Sequence, residues 1–209
     1  MEALTTRVRS VVDYCWEHFS AKVGSDLINV NKEASMQLHF AYVLKNSMDL
    51  IIHHKDESVI IELETGISIN GKLRECDIVI KIEKDNTVFF IPIEMKCYKT
   101  KASTGKSRGA TDLFRRDVYK DLELLESYES NSMLPGIQLT MTDSRNFVYP
   151  KKKEAKSWDY DISDGHKISN GIKLNTPIGG KPVALKLTKS YNFDWTNVGV
   201  FYFLKVEGI

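Results

Sequence analysis

Residues 75–99, ECDIVIKIEKDNTVFFIPIEMKCYK, carry an aspartate, Asp77, followed after sixteen intervening residues by the tripeptide Glu94-Met95-Lys96. Two neighbouring carboxylates repel unless a cation lies between them, and oxygen ligands of this kind suit magnesium. A lysine beside them either holds its proton less tightly or orients a water while stabilising developing negative charge. Such a set suits phosphodiester hydrolysis, in which a metal polarises the phosphate, generates hydroxide from a bound water and stabilises the leaving oxygen. Asp77 and Glu94 would hold the metal, and Lys96 would position or help activate the attacking water. The plainer reading makes Glu94 and Lys96 solvated strand-end residues and Asp77 an acid near a hairpin.

These groups act together only if the backbone brings them together. Asp77–Glu83 and Thr87–Tyr98 read as strands, with Lys84-Asp85-Asn86 as the polar turn. A short connection makes them antiparallel neighbours and sets the start of one beside the end of the other. Side chains alternate along a strand, so Glu94 and Lys96 share a face and Met95 points to the other. Asp77 is then expected close to both, at one end of the sheet.

The surrounding pattern supplies the frame. Leu4, Val8, Val11, Val12 and Cys15 predict an amphipathic helix over 2–20. A second helix is expected over 32–48, with Asn31 as N-cap and Ala34, Leu38, Ala41 and Tyr42 facing inward. Ser58–Thr65 reads as a strand closed by Gly66. A helix over 111–129, with Leu113, Val118, Leu122 and Leu125 inward, precedes a short strand at Ile137–Met141. Pro182–Leu187 and Val198–Val206 read as strands able to extend the sheet. The order helix, three strands, helix, strand predicts an α/β or α+β fold, a central mixed sheet flanked by helices. One domain is expected over 1–209, with its core at 32–142 and a C-terminal extension at 143–209.

Composition narrows the class. At 42% hydrophobic, the 209 residues describe an ordinary soluble globular protein. A net charge of +1, from 29 basic and 28 acidic residues, argues against a generally basic nucleic-acid coat protein but leaves room for a local basic groove. Cys15, Cys76 and Cys97 form no C-x-x-C pair, which opposes a disulfide framework and a cysteine-rich zinc site. The charged N-terminal segment lacks an apolar signal core, and no window approaches the about 18–20 apolar residues of a membrane span. These features predict a cytoplasmic protein with no membrane partner. Ser103-Thr104-Gly105-Lys106-Ser107 is no nucleotide loop, because Thr100 stands where the pattern needs glycine.

On Asp77, Glu94-Met95-Lys96, the apolar strand before them and this element order, the chain resembles the PD-(D/E)xK nuclease superfamily. That group includes restriction endonucleases, Holliday-junction resolvases and phage-type exonucleases. The resemblance covers roughly 32–142, and the proline of the family's proline-aspartate element is here Cys76. It implies a restriction-endonuclease-like core and a Mg²⁺-dependent DNA endonuclease, with Mn²⁺ as a substitute metal and a homodimer as one assembly. It implies Asp77 and Glu94 as metal ligands together with the Met95 backbone carbonyl, and Lys96 as catalyst. Glu33 matches the acid many members place on the helix before the first strand, with Gln37 one turn later. The helix dipole explains an acid at Glu33 equally well. Glu62 and Glu64 on the first strand rank below it.

A basic run follows the proposed site. Lys99, Lys101, Lys106, Arg108, Arg115, Arg116 and Lys120 face only Asp112 and Asp117 over 99–120, and the first six are candidate phosphate contacts. A solvated loop and helix face is the competing reading. The rival function from another class is a nucleic-acid-binding module that keeps this fold without catalysis.

Overall fold

The computed structural model describes residues 2–101, 105–109, 111–131 and 133–209; Ser103 and Thr104 of the nucleotide-loop pattern lie outside them. The chain opens with two helices, α1 (Glu2–Gly24) and α2 (Glu33–Met48). Three long strands follow as a meander: β1 (Glu57–Ile69), β2 (Lys72–Lys84) and β3 (Thr87–Tyr98). Then come α3 (Thr111–Ser130), β4 (Ile137–Thr142) and a four-residue helix α4 (Arg145–Val148). The last third holds short strands β5 (His166–Ile168), β6 (Lys173–Leu174), β7 (Leu185–Lys186), β8 (Tyr191–Phe193) and β9 (Trp195–Val198), then a longer one, β10 (Phe201–Glu207).

The fold is α+β: one six-stranded sheet in the order β1-β2-β3-β4-β10-β9, with helices on both faces. Only β3 and β4 run parallel, joined through α3, and the other pairs are antiparallel. The turns explain the meander. Asn70-Gly71 and Asp85-Asn86 both adopt positive φ, as two-residue hairpin turns between twisted strands demand. β1 therefore runs past Gly66 to Ile69, because a single glycine inside an alternating strand does not end it. Of the expected C-terminal strands, 201–207 joins the sheet beside β4, whereas β7 pairs only with β6.

Two cores sandwich the sheet. Ile78, Ile80, Ile82, Ile91, Ile93, Met95 and Cys97 face α1 and α2, where Trp16 and Phe19, stacked on each other, meet Phe40 and Phe203 edge-on. Leu204, Val206 and Tyr98 face α3 and the C-terminal segments. The inward face of α2 is Met36, Gln37, Phe40, Ala41, Leu44 and Met48. Leu38 and Tyr42, expected inward, are 60% and 70% exposed, since Phe40 takes the place against Trp16 and Phe19 and turns them out. Asn31 is not the N-cap residue: Lys32 holds that position, and the Ser35 hydroxyl accepts both the Asn31 and Lys32 N–H groups. Among the described residues no helix is long and apolar enough to cross a membrane.

The β9–β10 turn tests this packing. Gly199 has φ +61°, and a Cβ there would run into the carbonyl of Gly24 at the end of α1. Gly199→Ala is expected to cost about 1–3 kcal/mol from backbone strain, before any displacement of α1. Chemical denaturation read by circular dichroism checks it, and an unchanged midpoint would remove the turn from the packing of α1.

Candidate active site

The site lies where β2 parts from β3. Their ladder ends at the pair Ile78–Ile93. Asp77 does not continue it, and its carboxylate Oδ2 instead accepts the Met95 N–H at 2.6 Å. A side chain thus takes the place of a ladder carbonyl, and it sits between Glu94 and Lys96. On its other side the β1–β2 ladder skips the Glu64–Asp77 pair, where Glu64 has φ +51°. The hairpin changes its allegiance at this break. Ile78 and Ile80 serve the α1–α2 core, but Cys76 and, on β1, Ile67 pack with Leu125 and Tyr128 of α3.

Glu94 and Lys96 both face α3, and Met95 lies in the opposite core, as strand alternation requires. Glu94 is buried, and the Tyr128 hydroxyl donates to its Oε1 at 3.1 Å. The Lys96 ammonium lies 3.2 Å from Asp121 Oδ2 and 3.4 Å from Glu33 Oε1. Glu33 also accepts the Cys97 N–H at 3.2 Å, so the first turn of α2 is tied to the end of β3. Gln37, one turn later, donates to Glu64 Oε1 at 2.8 Å and to the Asp77 carbonyl at 2.7 Å. Glu62 sits opposite Val79 and, among the described residues, makes no hydrogen bond or ion pair to the cluster.

Asp121, Tyr128 and Gln138 escape the sequence reading, although the clue for Asp121 is there. It stands three residues after Val118 and four before Leu125, on the buried face of α3, where a lone charge demands a partner. Gln138 lies opposite Glu94 in the parallel ladder and donates to Asp121 Oδ2 at 3.3 Å. Its own Oε1 is buried without a hydrogen bond among the described residues.

The carboxyls of Glu33, Asp77, Glu94 and Asp121 surround one ammonium, and the electrostatics follow. Burial, then the charges of Asp121 and Asp77, push the Glu94 carboxyl up to about 9 despite the Tyr128 hydrogen bond. Burial raises Asp121 to about 7 against the pull of Lys96, and Asp77 to about 6 against the Met95 N–H and Lys96. For Lys96, burial opposes the charge, but Asp121, Glu33 and Asp77 outweigh it and hold the pKa above the ordinary lysine value. Of the two roles open to this lysine, the surrounding carboxylates favour the one that keeps its proton, since they stabilise its cation.

The donor set fits a hard divalent cation in type and charge. Each carboxyl already gives one oxygen to the protein, Oδ2 of Asp77 and Oε1 of Glu94, and among the described residues the second oxygens accept nothing. Mutual repulsion of buried carboxyls is what such a cation relieves. The spacing is not a finished cage. Among the described residues no group of three or more His, Cys, Asp or Glu side chains is disposed to hold a metal ion, and Lys96 occupies Glu33 and Asp121. Asp77 and Glu94 are the pair that would hold one.

The basic run divides. Lys101 and Lys106 are exposed, and Arg108 reaches the Asn31 carbonyl at 3.4 Å. Lys99 donates to the Val30 carbonyl at 2.9 Å and lies over the Phe201 ring. Arg115 is corrected: its guanidinium is buried, stacked 3.9 Å from the Trp158 centroid and bonded to Ser157. An early position on a helix does not make a side chain solvent-facing, and this one fills the groove between α3 and the 156–160 turn. Arg116 is spent on Asp117, to which it donates twice.

No family model, no curated protein and no solved structure matches this chain. The chemistry of the cluster therefore rests on its own geometry.

A pH dependence follows. Glu94, Asp121 and Asp77 have folded pKa values above their unfolded ones, so their contribution to stability is greatest below about pH 4 and is lost as pH rises through about 6 to 9. The melting temperature of metal-free protein is expected to fall between pH 5 and 9, with Glu94→Gln flattening the slope. Thermal melts across that range check this, and equal slopes for both proteins would remove Glu94 as the strained group.

Proposed function

We propose that the protein is a metal-dependent nuclease that hydrolyses phosphodiester bonds, a DNA endonuclease of restriction or phage-defence type on a restriction-endonuclease-like core, with Mg²⁺ as cofactor. The observation that carries this reading is the 2.6 Å hydrogen bond from Met95 N–H to Asp77, which fixes an aspartate beside the acid and lysine of Glu94-Met95-Lys96. Asp77 and Glu94 would hold the metal, with the Met95 carbonyl as a further oxygen from the resemblance; Glu33, which the resemblance also implies, gives its oxygens to Lys96 and to the Cys97 N–H instead. A divalent cation bound there supplies Lewis acidity toward the phosphate and a lowered pKa for its water.

The chain's own groups do the rest. Lys96 stays an ammonium, so it works as a donor that orients the attacking water or meets charge developing on the phosphate, not as a base. Glu33 and Asp121 hold that ammonium from two sides, from the start of α2 and the middle of α3. Tyr128 fixes one oxygen of Glu94, and among the described residues the other accepts no hydrogen bond. Gln37 holds the Asp77 carbonyl, so the backbone at the β2 break does not swing away. The second reading, a nucleic-acid-binding module without catalysis, draws its support from the ion pairs that already engage Lys96.

Incubating supercoiled plasmid and a labelled single strand with Mg²⁺, Mn²⁺ or EDTA separates the two. Wild type is expected to cut only with metal, and Lys96→Ala, Asp77→Ala and Glu94→Ala to lose about 10²–10³-fold or more in rate, the cost of removing a group that stabilises transition-state charge. Equal cutting by wild type and variants would abandon the catalytic assignment. Binding without cutting would move the binding module ahead.

A further inference from the structure

Between the β1–β2 arm and α3 runs a groove of about 880 Å³, with Lys72 and Arg74 on the arm, Lys120 and Asp121 on α3, and Lys186 at its C-terminal wall. Asp121 is also the partner of Lys96, so the groove and the carboxylate cluster share this buried residue. The charges along it are not balanced in the way their number suggests. Glu126 spends both oxygens on the Thr188 and Lys189 N–H groups and on the hydroxyls of Thr188 and Tyr191. Glu123 accepts the Lys186 N–H at 2.8 Å. Backbone and hydroxyl donors thus engage these acids, while Lys72, Arg74, Lys120 and Lys186 are exposed and, among the described residues, enter no ion pair or side-chain hydrogen bond. The break in the hairpin at Glu64 and Asp77 is what turns Lys72 and Arg74 toward α3. Among the described residues no aromatic side chain lines the groove, so it offers cations without stacking platforms.

We propose that this groove holds the sugar–phosphate backbone of the nucleic-acid strand that reaches the site, with Lys72, Arg74, Lys120 and Lys186 meeting its phosphates. It deepens the nuclease reading and rests on it for the direction in which the strand runs. Because the contacts are to phosphate, the groove adds affinity without sequence preference. It also moves the main phosphate track away from Lys99 and Arg108, which lie by the start of α2.

The test measures binding in EDTA, without catalysis, by fluorescence anisotropy of labelled oligothymidylate and oligouridylate over about 50–200 mM salt. Lys72→Ala/Arg74→Ala is expected to weaken binding of at least one oligonucleotide roughly tenfold. It should also flatten the salt slope by about 0.7 for each phosphate left without its cation, or about 1.4 for the pair. Lys22→Ala/Lys45→Ala, exposed on α1 and α2, serves as the charge-matched control and is expected to bind like wild type. A groove variant with wild-type affinity and slope, a control that weakens equally, or a wild type that binds neither oligonucleotide overturns the proposal. Plasmid cutting by a groove variant that binds normally would leave the nuclease reading standing without the groove. Weakened binding by the groove variant of a protein that never cuts would do the reverse.

Discussion

One half-buried ammonium among more carboxylates than it can neutralise is the constraint around which this molecule is arranged. Lys96 is held by Glu33 and Asp121, and Asp77 and Glu94 crowd the same end of the sheet. In low dielectric the surplus negative charge is costly unless protons or cations meet it. The protein answers with hydrogen-bond donors placed from every side: the Met95 and Cys97 amides, the Tyr128 hydroxyl and the Gln138 amide. A fold built only for stability would fill the same space with apolar side chains at lower cost.

The two layers of helix have different parts in this arrangement. α2 brings Glu33 and Gln37 to the end of β3 because its apolar face is clamped against α1 through Phe40, Trp16 and Phe19. α3 brings Asp121 and Tyr128 from the opposite face, and its connection from β3 to β4 makes the single parallel pairing of the sheet. The cluster is thus closed from both faces of the sheet by elements with separate cores, and the break in the β1–β2 ladder lets the hairpin contribute to both.

Much of this was legible in the chain. Strand alternation placed Glu94 and Lys96 on one face and Met95 on the other, and the short Lys84–Asn86 turn placed Asp77 beside them. What stayed hidden depends on partners distant in sequence. The facing of α2 is decided by aromatic contacts with α1, which a stripe of Leu38 and Tyr42 cannot foresee. Asp121 reads as one more charge on a helix rich in them until Lys96 is set against it. Arg115 is taken out of solvent by Trp158, more than forty residues away. The length of β1, by contrast, could have been read from Asn70-Gly71, the turn signal that outranks a lone Gly66.

The place of β10 has a consequence for how the chain comes to life. All six residues of β4 are buried, and one flank of that strand is completed only by β10, which is made much later. During synthesis from the N-terminus the helices and the β1–β3 meander have their local partners early, while β4 waits with an unpaired edge. Open edges of this kind template association between chains, and pairings distant in sequence form slowly. The interval before β10 arrives is therefore the vulnerable period of this protein's biogenesis, when chaperone capture and aggregation compete for the same strand.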